Sequence, residues 1–352
     1  MVILRQDFES PQSLPYAIRE CDQGHEVATM PTFSLDELHD ATSTVRALVP
    51  ATPAYAWPLL ARRVGADVIV KHENHTPTGS FKVRGGLVYV DVLRRQGRLS
   101  GLVTATRGNH GQSVAIAATQ AGIPALIVVP EGNSAEKNAA MEAFGGELIV
   151  AGKDFDEARA VAAGLASERG YHLVPSFHHS LVLGVATYAF ELLASITDLH
   201  FVYVPIGMGS GICGMIAVRD LLGLKTEIVG VVAVNAPAFA LSLEGGHPVS
   251  TNWANTFADG LACRQPQPEA FEIISKGVAE IVRVSEDEIA GAVRVLYTDT
   301  HNVAEGAGAA SLAALMKQRA HRQGKRIGIV LSGGNIDMPV LSRIVRGETP
   351  QV

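Results

Sequence analysis

Short runs of apolar, mainly β-branched residues alternate along the chain with segments of helical periodicity. Seven of these runs predict strands, at residues 67–71, 102–106, 125–129, 147–150, 201–205, 227–234 and 326–331. Because the runs are apolar at consecutive positions, we expect both faces of each strand to be buried, as in a parallel sheet covered by helices. The pattern therefore predicts an α/β fold.

Three of the predicted strands end in turns that contain several glycines. The turns are TATRGNHGQS at 104–113, PIGMGSGICG at 205–214 and LSGGNID at 331–337. In open parallel sheets, ligands bind beyond the carboxyl ends of the strands, where helix N-termini point at them and the backbone approaches closely. The three turns therefore predict one shared binding site.

The composition narrows the class of protein. The 352 residues are 47% hydrophobic and 18% charged, with a net charge of −6 and no run of five or more basic residues. This balance argues against nucleic acid and anionic membrane surfaces as partners. Three widely spaced cysteines, the lack of a secretion signal at the start of the sequence and the lack of a long apolar stretch predict a cytoplasmic protein.

The segment GMGSGICG at 207–214 lies between a predicted strand and a predicted helix. Its glycines can direct backbone N–H groups at a phosphate, Ser210 adds a hydroxyl, and the helix N-terminus adds partial positive charge. The segment also fits the dinucleotide fingerprint GxGxxG, but Asn235 follows the next strand, where a carboxylate would hold a ribose. A small phosphorylated cofactor is therefore the better prediction, and a tight turn without a ligand is the structural alternative.

The segment TPTGSFKVRGG at 76–86 places Lys82 where a turn rich in threonine, serine and glycine passes into a helix. Lysines at such positions are usually solvated. Next to a phosphate loop, however, a lysine whose pKa is lowered by burial or by nearby cations can form a Schiff base with a carbonyl compound. We therefore interpret Lys82 as the reactive group of the predicted site.

Six segments, in this order, make the chain resemble a known family. They are KHENHTPTGSFKVRGG (71–86), ATRGNHGQS (105–113), PIGMGSGICG (205–214), TFADGLA (256–262), EGAGAASLAAL (305–315) and LSGGNID (331–337). The chain is similar to the pyridoxal-phosphate (PLP) dependent threonine/serine dehydratases, and within them to the short catabolic branch without a regulatory domain. The resemblance implies the tryptophan synthase β-like fold, an α/β architecture of two open, mainly parallel sheets flanked by helices.

The resemblance also implies a role for each matching residue. Lys82 would bind the PLP aldehyde as an imine, Phe81 would pack beside the ring, Asn109 would hydrogen-bond the phenolic oxygen of PLP, and Ser332 would face the pyridine nitrogen. The cofactor phosphate would be surrounded by Gly207, Met208, Gly209, Ser210 and Gly211. The substrate carboxylate would lie near Thr106, Arg107, Gly108, Asn109 and His110.

The activity implied is PLP-dependent α,β-elimination, in which a 3-hydroxy L-amino acid such as L-threonine or L-serine yields a 2-oxo acid and ammonia. A neutral hydroxyl at Ser332 does not keep the pyridine nitrogen protonated, which favours elimination over transamination. Relatives commonly carry a second serine where this chain has Arg107. An arginine cannot be the acid of a racemase, but its fork could hold a carboxylate or a polar β-substituent.

Several alternatives stay open at this point. Phenylserine, 3-hydroxyaspartate and an intermediate of hydroxyectoine breakdown are alternative substrates. A β-replacement synthase and a non-catalytic binding module on the same fold are rival functions. The sequence predicts no metal site, because the histidine pairs at 72/75 and 178/179 lack the spacing of helical metal ligands.

The resemblance finally implies two domains and a homodimer. Residues 1–103 and 182–352 would form a larger PLP-binding domain, and residues 104–181 a smaller, mobile substrate-binding domain. Because the smaller domain would carry the loop at 106–110, its closure would bring substrate onto the cofactor and exclude water.

Overall fold

The computed structural model describes residues 33–97 and 99–351. Cys21 and the first 32 residues of the predicted larger domain lie outside the described residues. The strands in these ranges are β1 Ala54–Ala56, β2 Asp67–His72, β3 Leu102–Ala105, β4 Ala125–Val129, β5 Glu147–Val150, β6 His172–Leu173, β7 Phe201–Pro205, β8 Glu227–Ala233, β9 Val278–Val284 and β10 Arg326–Leu331.

Helices follow most of the strands. They are α1 Leu35–Arg46, α2 Pro58–Val64, α3 Lys82–Gln96, α4 Asn109–Ala121, α5 Ala135–Ala143, α6 Phe155–Arg169, α7 His179–Ser195, α8 Ser210–Leu221, α9 Ala238–Gly245, α10 Pro268–Gly277, α11 Glu286–Thr300, α12 Gly306–Lys317 and α13 Met338–Val345. Five of them begin after a residue whose side chain accepts a backbone N–H of the first turn, namely Ser34, Ser134, Asp154, His178 and Ser285.

The larger sheet has six strands in the order β1-β2-β10-β7-β8-β9. Its neighbouring strands are parallel except for β1, which pairs with β2 in the antiparallel direction. Successive residues of β2 enter different cores: Val68 and Val70 pack with α11 and α12, and Ile69 packs with α3, α7 and α8. The sheet is thus covered by helices on both faces.

The smaller sheet has four parallel strands in the order β5-β4-β3-β6 and is formed within residues 102–173. Val103 and Val128 pack against the alanines of α6 on one face. Leu102 and Ile127 belong to the core that contains α4 on the other face. Two mainly parallel sheets flanked by helices confirm the predicted fold class.

Small residues let the helices beside the sheets approach one another closely. A Cβ at Gly86 of α3 would overlap Ser113 of α4, and a Cβ at Gly184 of α7 would overlap the backbone of α3 at Arg84. Ser113 Oγ donates to the carbonyl oxygen of Lys82 at 2.6 Å. These contacts fix the position of α3, the helix that begins with Lys82.

Charged side chains are buried where α3 meets β2 and α7. Arg84 is 0% exposed; its Nε donates to Glu73 at 2.7 Å and its Nη1 to Glu191 at 2.8 Å. Lys71 Nζ donates to Glu191 at 2.6 Å and to the carbonyl oxygen of Thr52 at 2.8 Å. The partly exposed Arg46 also pairs with Glu191 at 2.9 Å, so the two buried carboxylates are balanced by cations, as burial of charge requires.

Candidate active site

The glycine turns after β3 and β7 line one cavity of about 390 Å³. The turn after β10, which was expected in the same site, lines a smaller cavity through Asn335, Ile336 and Asp337. Eight of the predicted site residues line the larger cavity: Lys82, Thr106, Arg107, Gly108, Asn109, His110, Gly207 and Met208. The other five, Phe81, Gly209, Ser210, Gly211 and Ser332, do not line this cavity.

The turn before Lys82 is held by its own hydroxyls and by the turn after β10. Thr76 Oγ1 donates to the carbonyl oxygen of Ser80 at 2.8 Å, and the N–H of Ser80 donates to Thr76 Oγ1 at 2.9 Å. Gly79 has a φ of +67°, a conformation that favours glycine. The N–H of Phe81 donates to the carbonyl oxygen of Ser332 at 3.1 Å. This hydrogen bond fixes Phe81 and Ser332, two of the predicted site residues, near Lys82.

The Lys82 amine faces the cavity, and its Nζ lies 5.6 Å from the centre of the Phe81 ring. Within the described ranges this nitrogen has no hydrogen bond or ion pair. Burial lowers the pKa of Lys82, and the carboxylate of Glu305 opposes that shift. A lysine with a lowered pKa holds more of the neutral amine, which is the nucleophilic and basic form.

The loop at 106–110 is shaped around Thr106. Its Oγ1 accepts the N–H groups of Gly108 at 3.0 Å and of Gly111 at 3.2 Å. His110 is buried, and its Nε2 has no hydrogen-bond partner in the described part of the chain. Burial, with the charge of Lys82, lowers the pKa of His110 to about 3, so the ring is neutral.

The glycine loop after β7 fits a bound phosphate. The N–H groups of Gly207, Met208 and Gly209 donate to no acceptor among the described residues. A Cβ at Gly207 would overlap the carbonyl oxygen of Gly260, and Gly209 has a φ of +100°. N–H groups without a partner at a helix N-terminus suit an anion. The residues present therefore fit the phosphate of PLP, with Lys82 in the same cavity.

Three helices that begin at the cavity, α3, α4 and α8, have an N-cap residue whose side chain makes no capping hydrogen bond, and so do α2, α9, α10, α12 and α13. In α4, Thr106 Oγ1 accepts one of the first-turn N–H groups, that of Gly111. The remaining N–H groups of such a first turn need another partner, and a bound anion supplies one. The predicted substrate-carboxylate loop precedes α4 and the predicted phosphate loop precedes α8, so both helix ends coincide with a predicted anion site.

Several cavity residues were absent from the predicted set. Glu305, the residue before α12, accepts a hydrogen bond from Asn109 Nδ2 at 2.8 Å. Burial raises the pKa of Glu305 to about 7. Lys137 forms an ion pair with Asp259 at 2.8 Å on the cavity wall. Glu305 is the first residue of the segment EGAGAASLAAL, so the family resemblance could have indicated it. Lys137 lies in none of the six matching segments, and nothing in the sequence indicated it.

The described residues contain no group of three or more histidine, cysteine, aspartate or glutamate side chains that could hold a metal ion. Within the same ranges, no helix combines the length and apolar character needed to cross a membrane. Cys213 and Cys263 are buried free thiols.

Comparison with known proteins extends the similarity over most of the chain. The family model described as pyridoxal-phosphate dependent enzyme matches residues 45–333. L-threonine ammonia-lyase of Thermotoga maritima is 34% identical over 314 residues, which are 89% of this chain and 78% of the relative. L-threo-3-hydroxyaspartate ammonia-lyase of Saccharomyces cerevisiae is 30% identical, with 91% of this chain and 98% of the relative covered.

A solved structure shares the whole fold. The processed form of threonine deaminase isoform 2 from Solanum lycopersicum superposes with a TM-score of 0.82 at 29% identity, covering 93% of this chain and 98% of the other. The chain spans 56 to 59% of the length of four other relatives, which are biosynthetic L-threonine dehydratases.

A lysine at the start of a helix, between glycine turns at the carboxyl ends of two parallel sheets, defines the tryptophan synthase β-like class of PLP enzymes. The chain belongs to the pyridoxal-phosphate dependent enzyme family, whose model covers most of it. PLP is therefore its cofactor.

The close approach of Gly207 to Gly260 yields a prediction. We expect Gly207→Ala to weaken PLP binding at least about tenfold, because the new Cβ displaces the loop whose N–H groups would hold the phosphate. An absorbance titration of the apoenzyme with PLP measures this. Gly164→Ala is the matched control, because a Cβ at Gly164 in α6 has no neighbour within 4 Å. Equal PLP affinities of the two variants would contradict the prediction.

Proposed function

We propose that this protein catalyses the PLP-dependent dehydration and deamination of a 3-hydroxy L-amino acid, such as L-threonine or L-serine, to a 2-oxo acid and ammonia. The observation that carries the proposal is the single cavity lined by Lys82, by Gly207 and Met208, and by the loop at 106–110. A reactive amine, a phosphate loop and a carboxylate loop are the parts that such an elimination needs. The activities of the similar proteins, two ammonia-lyases and a threonine deaminase, support the same reaction.

Each part has a physical role in the proposed reaction. Bound PLP supplies a carbonyl that condenses with amines and a conjugated ring that accepts electrons from Cα. The loop at 106–110 holds the substrate carboxylate and so fixes the direction of the Cα–H bond. Lys82 Nζ, which burial shifts towards the unprotonated form by lowering its pKa, takes that proton. Loss of the β-hydroxyl as water leaves an enamine, which hydrolyses to the 2-oxo acid and ammonia.

The rival β-replacement synthase differs in what it requires. A synthase needs a second, nucleophilic substrate, whereas the proposed enzyme needs only water. The test is to incubate the holoenzyme with L-threonine or L-serine alone and to measure 2-oxo acid and ammonia. We expect equal amounts of the two products. Formation of a product only after addition of a thiol or indole would overturn the proposal in favour of the synthase.

Arg107 gives the proposal a specificity test. It is exposed, lines the cavity, and makes no hydrogen bond or ion pair with another described residue. An unpaired guanidinium favours a substrate whose β-substituent is anionic or polar. We expect Arg107→Ser to lower kcat/KM for 3-hydroxyaspartate, relative to that for L-threonine, about tenfold or more.

A panel of 3-hydroxy amino acids, ranked by kcat/KM, measures this change and also separates the alternative substrates. The control variant is Arg62→Ser, which removes an exposed arginine outside the cavity lining. A ranking that is the same in Arg107→Ser and in the unmodified enzyme would contradict a substrate contact by Arg107.

The domain organisation, the homodimer and the cytoplasmic location belong to the same proposal. The segment 104–181 contains most of the smaller sheet, which begins two residues earlier at Leu102. Polar contacts join it to the rest of the chain around the cavity, among them Lys137 with Asp259 and Arg264 with Asp156. Contacts of this kind can break and re-form, which supports a smaller domain that opens for substrate and closes over it.

A further inference from the structure

Glu305 has a defined place in the cavity that the proposed chemistry leaves unexplained. The residue is 8% exposed and lines the main cavity beside Lys82 and Asn109. It also lines a smaller polar chamber of about 60 Å³, together with Asn335 and Asp337. A buried carboxylate costs free energy unless it has partners, so its retention at the wall between two cavities calls for a function.

The hydrogen bonds around Asn109 form a chain with a fixed direction. The chain starts at the carbonyl oxygen of Thr78, which can only accept, and Asn335 Nδ2 donates to it at 2.8 Å. The same Nδ2 donates to Asn109 Oδ1 at 2.8 Å. The amide oxygen of Asn109 is therefore directed at Asn335, and its Nδ2 donates to Glu305 Oε1 at 2.8 Å. A backbone carbonyl at one end and a carboxylate at the other leave one orientation for the amide.

This orientation leaves Asn109 with one unused donor. An asparagine amide has two N–H bonds, and Glu305 accepts one of them. Asn109 itself lines the main cavity. If the carboxylate were absent, the amide would lose the acceptor that holds its nitrogen on the cavity side, although Asn335 would still hold its oxygen.

The glycine turn after β10 brings the carboxylate to this position. A Cβ at Gly333 would lie 2.5 Å from Glu305 Oε1, and the N–H of Glu305 donates to the carbonyl oxygen of Gly333 at 3.1 Å. The charges that face Glu305 are those of Lys82, Lys137 and Asp259. The turn LSGGNID thus positions a polar chain as well as Ser332.

We infer that Glu305 is a positioning residue, which acts through Asn109 by fixing the amide so that its second Nδ2 hydrogen is presented to the phenolic oxygen of PLP. The inference rests on the proposed function, because it takes the predicted Asn109–PLP contact as given. It assigns to Glu305 no proton transfer and no contact with substrate.

Two substitutions of Glu305 test whether PLP binding depends on its hydrogen bond to Asn109 or only on the volume of its side chain. Glu305→Gln keeps an oxygen that accepts from Asn109, whereas Glu305→Leu keeps similar volume and removes the acceptor. We expect PLP affinity to fall about tenfold or more in Glu305→Leu and less than about threefold in Glu305→Gln. In Glu305→Leu the visible absorbance of bound PLP should also decrease in favour of the near-ultraviolet band, because a donor to the phenolic oxygen stabilises its ionised form.

A double-mutant cycle tests whether Glu305 acts through Asn109. We expect Asn109→Ala and Asn109→Ala/Glu305→Leu to bind PLP equally, within about twofold, since the second change has nothing left to orient. Asp337→Asn is the control: it removes a carboxylate of the same small chamber that has no hydrogen bond to Asn109, and it should leave the absorbance bands unchanged.

The outcomes distinguish this inference from the proposed function. Additive losses in the cycle, or absorbance bands of Glu305→Leu that equal those of the unmodified enzyme, would overturn the role of Glu305 and leave the dehydratase proposal intact. An unmodified protein that binds PLP but forms no 2-oxo acid from any 3-hydroxy amino acid would overturn the dehydratase proposal, while the absorbance and affinity tests of Glu305 would still apply.

Discussion

Lys82→Ala is expected to lower the rate of 2-oxo acid formation from L-threonine by about a thousandfold or more. The substitution removes the amine that is proposed both to bind the PLP aldehyde and to take the Cα proton. Reduction of the unmodified holoenzyme with borohydride should add the mass of PLP to the peptide that contains Lys82. The variant should show no such addition after the same treatment.

Lys137 is the matched control for this experiment, because it lines the same cavity. Its Nζ forms an ion pair with Asp259 at 2.8 Å. Burial acts to lower the pKa of Lys137, but Asp259 and Glu305 outweigh it and the pKa is raised. Lys137 is thus held as an ammonium, while Lys82 is shifted towards the free amine. After borohydride treatment, Lys137→Ala should therefore still carry the added mass of PLP. If Lys137→Ala lacked this addition and Lys82→Ala kept it, the assignment of Lys82 would be refuted.

The fold was largely predictable because its central strands are buried on both faces. All seven predicted strands are present, and their bounds differ from the prediction by one residue at most. Three strands, β1, β6 and β9, were not predicted from the sequence. β1 and β9 are the edge strands of the larger sheet, and β6 has two residues. β9, Val278–Val284, has charged residues between its apolar ones, so a search for continuous apolar runs passes over it.

Some residues of the candidate site could be predicted from short sequence segments, whereas others are brought there only by tertiary contacts. Lys82, the loop at 106–110 and the loop at 207–211 each lie in one short segment, and glycine and turn residues announce such segments in a sequence. The contact between Asn109 and Glu305 joins residues 196 apart, and that between Lys137 and Asp259 joins residues 122 apart. No periodicity relates such partners. Only the packing of α12 and α5 around the cavity brings them together.

Arg84 lies in one of the predicted segments, two residues after Lys82, yet its role is structural. Arg84→Met is expected to lower the free energy of unfolding by about 3–5 kcal/mol, because Glu73 and Glu191 would stay buried with Lys71 as the remaining buried cation and only the partly exposed Arg46 as a further partner of Glu191. Urea unfolding at fixed PLP concentration measures this. The control is Arg326→Met, whose guanidinium pairs with Asp67 and Asp198 at the surface. Exposed pairs contribute little, so its urea midpoint should hardly move.

The pH dependence of the Arg84→Met effect has a definite sign. Burial acts to raise the pKa of Glu191, but Arg84 and Lys71 outweigh it and hold the pKa below its ordinary value. The stability that this pairing contributes is present above the unfolded-state pKa and is lost as the pH falls through the folded-state value. Without Arg84 the pKa of Glu191 rises, and its protonation at low pH removes the uncompensated charge. The loss of stability should therefore be larger at pH 8 than at pH 5, and a loss independent of pH would show that Arg84 acts by filling space and not by its charge.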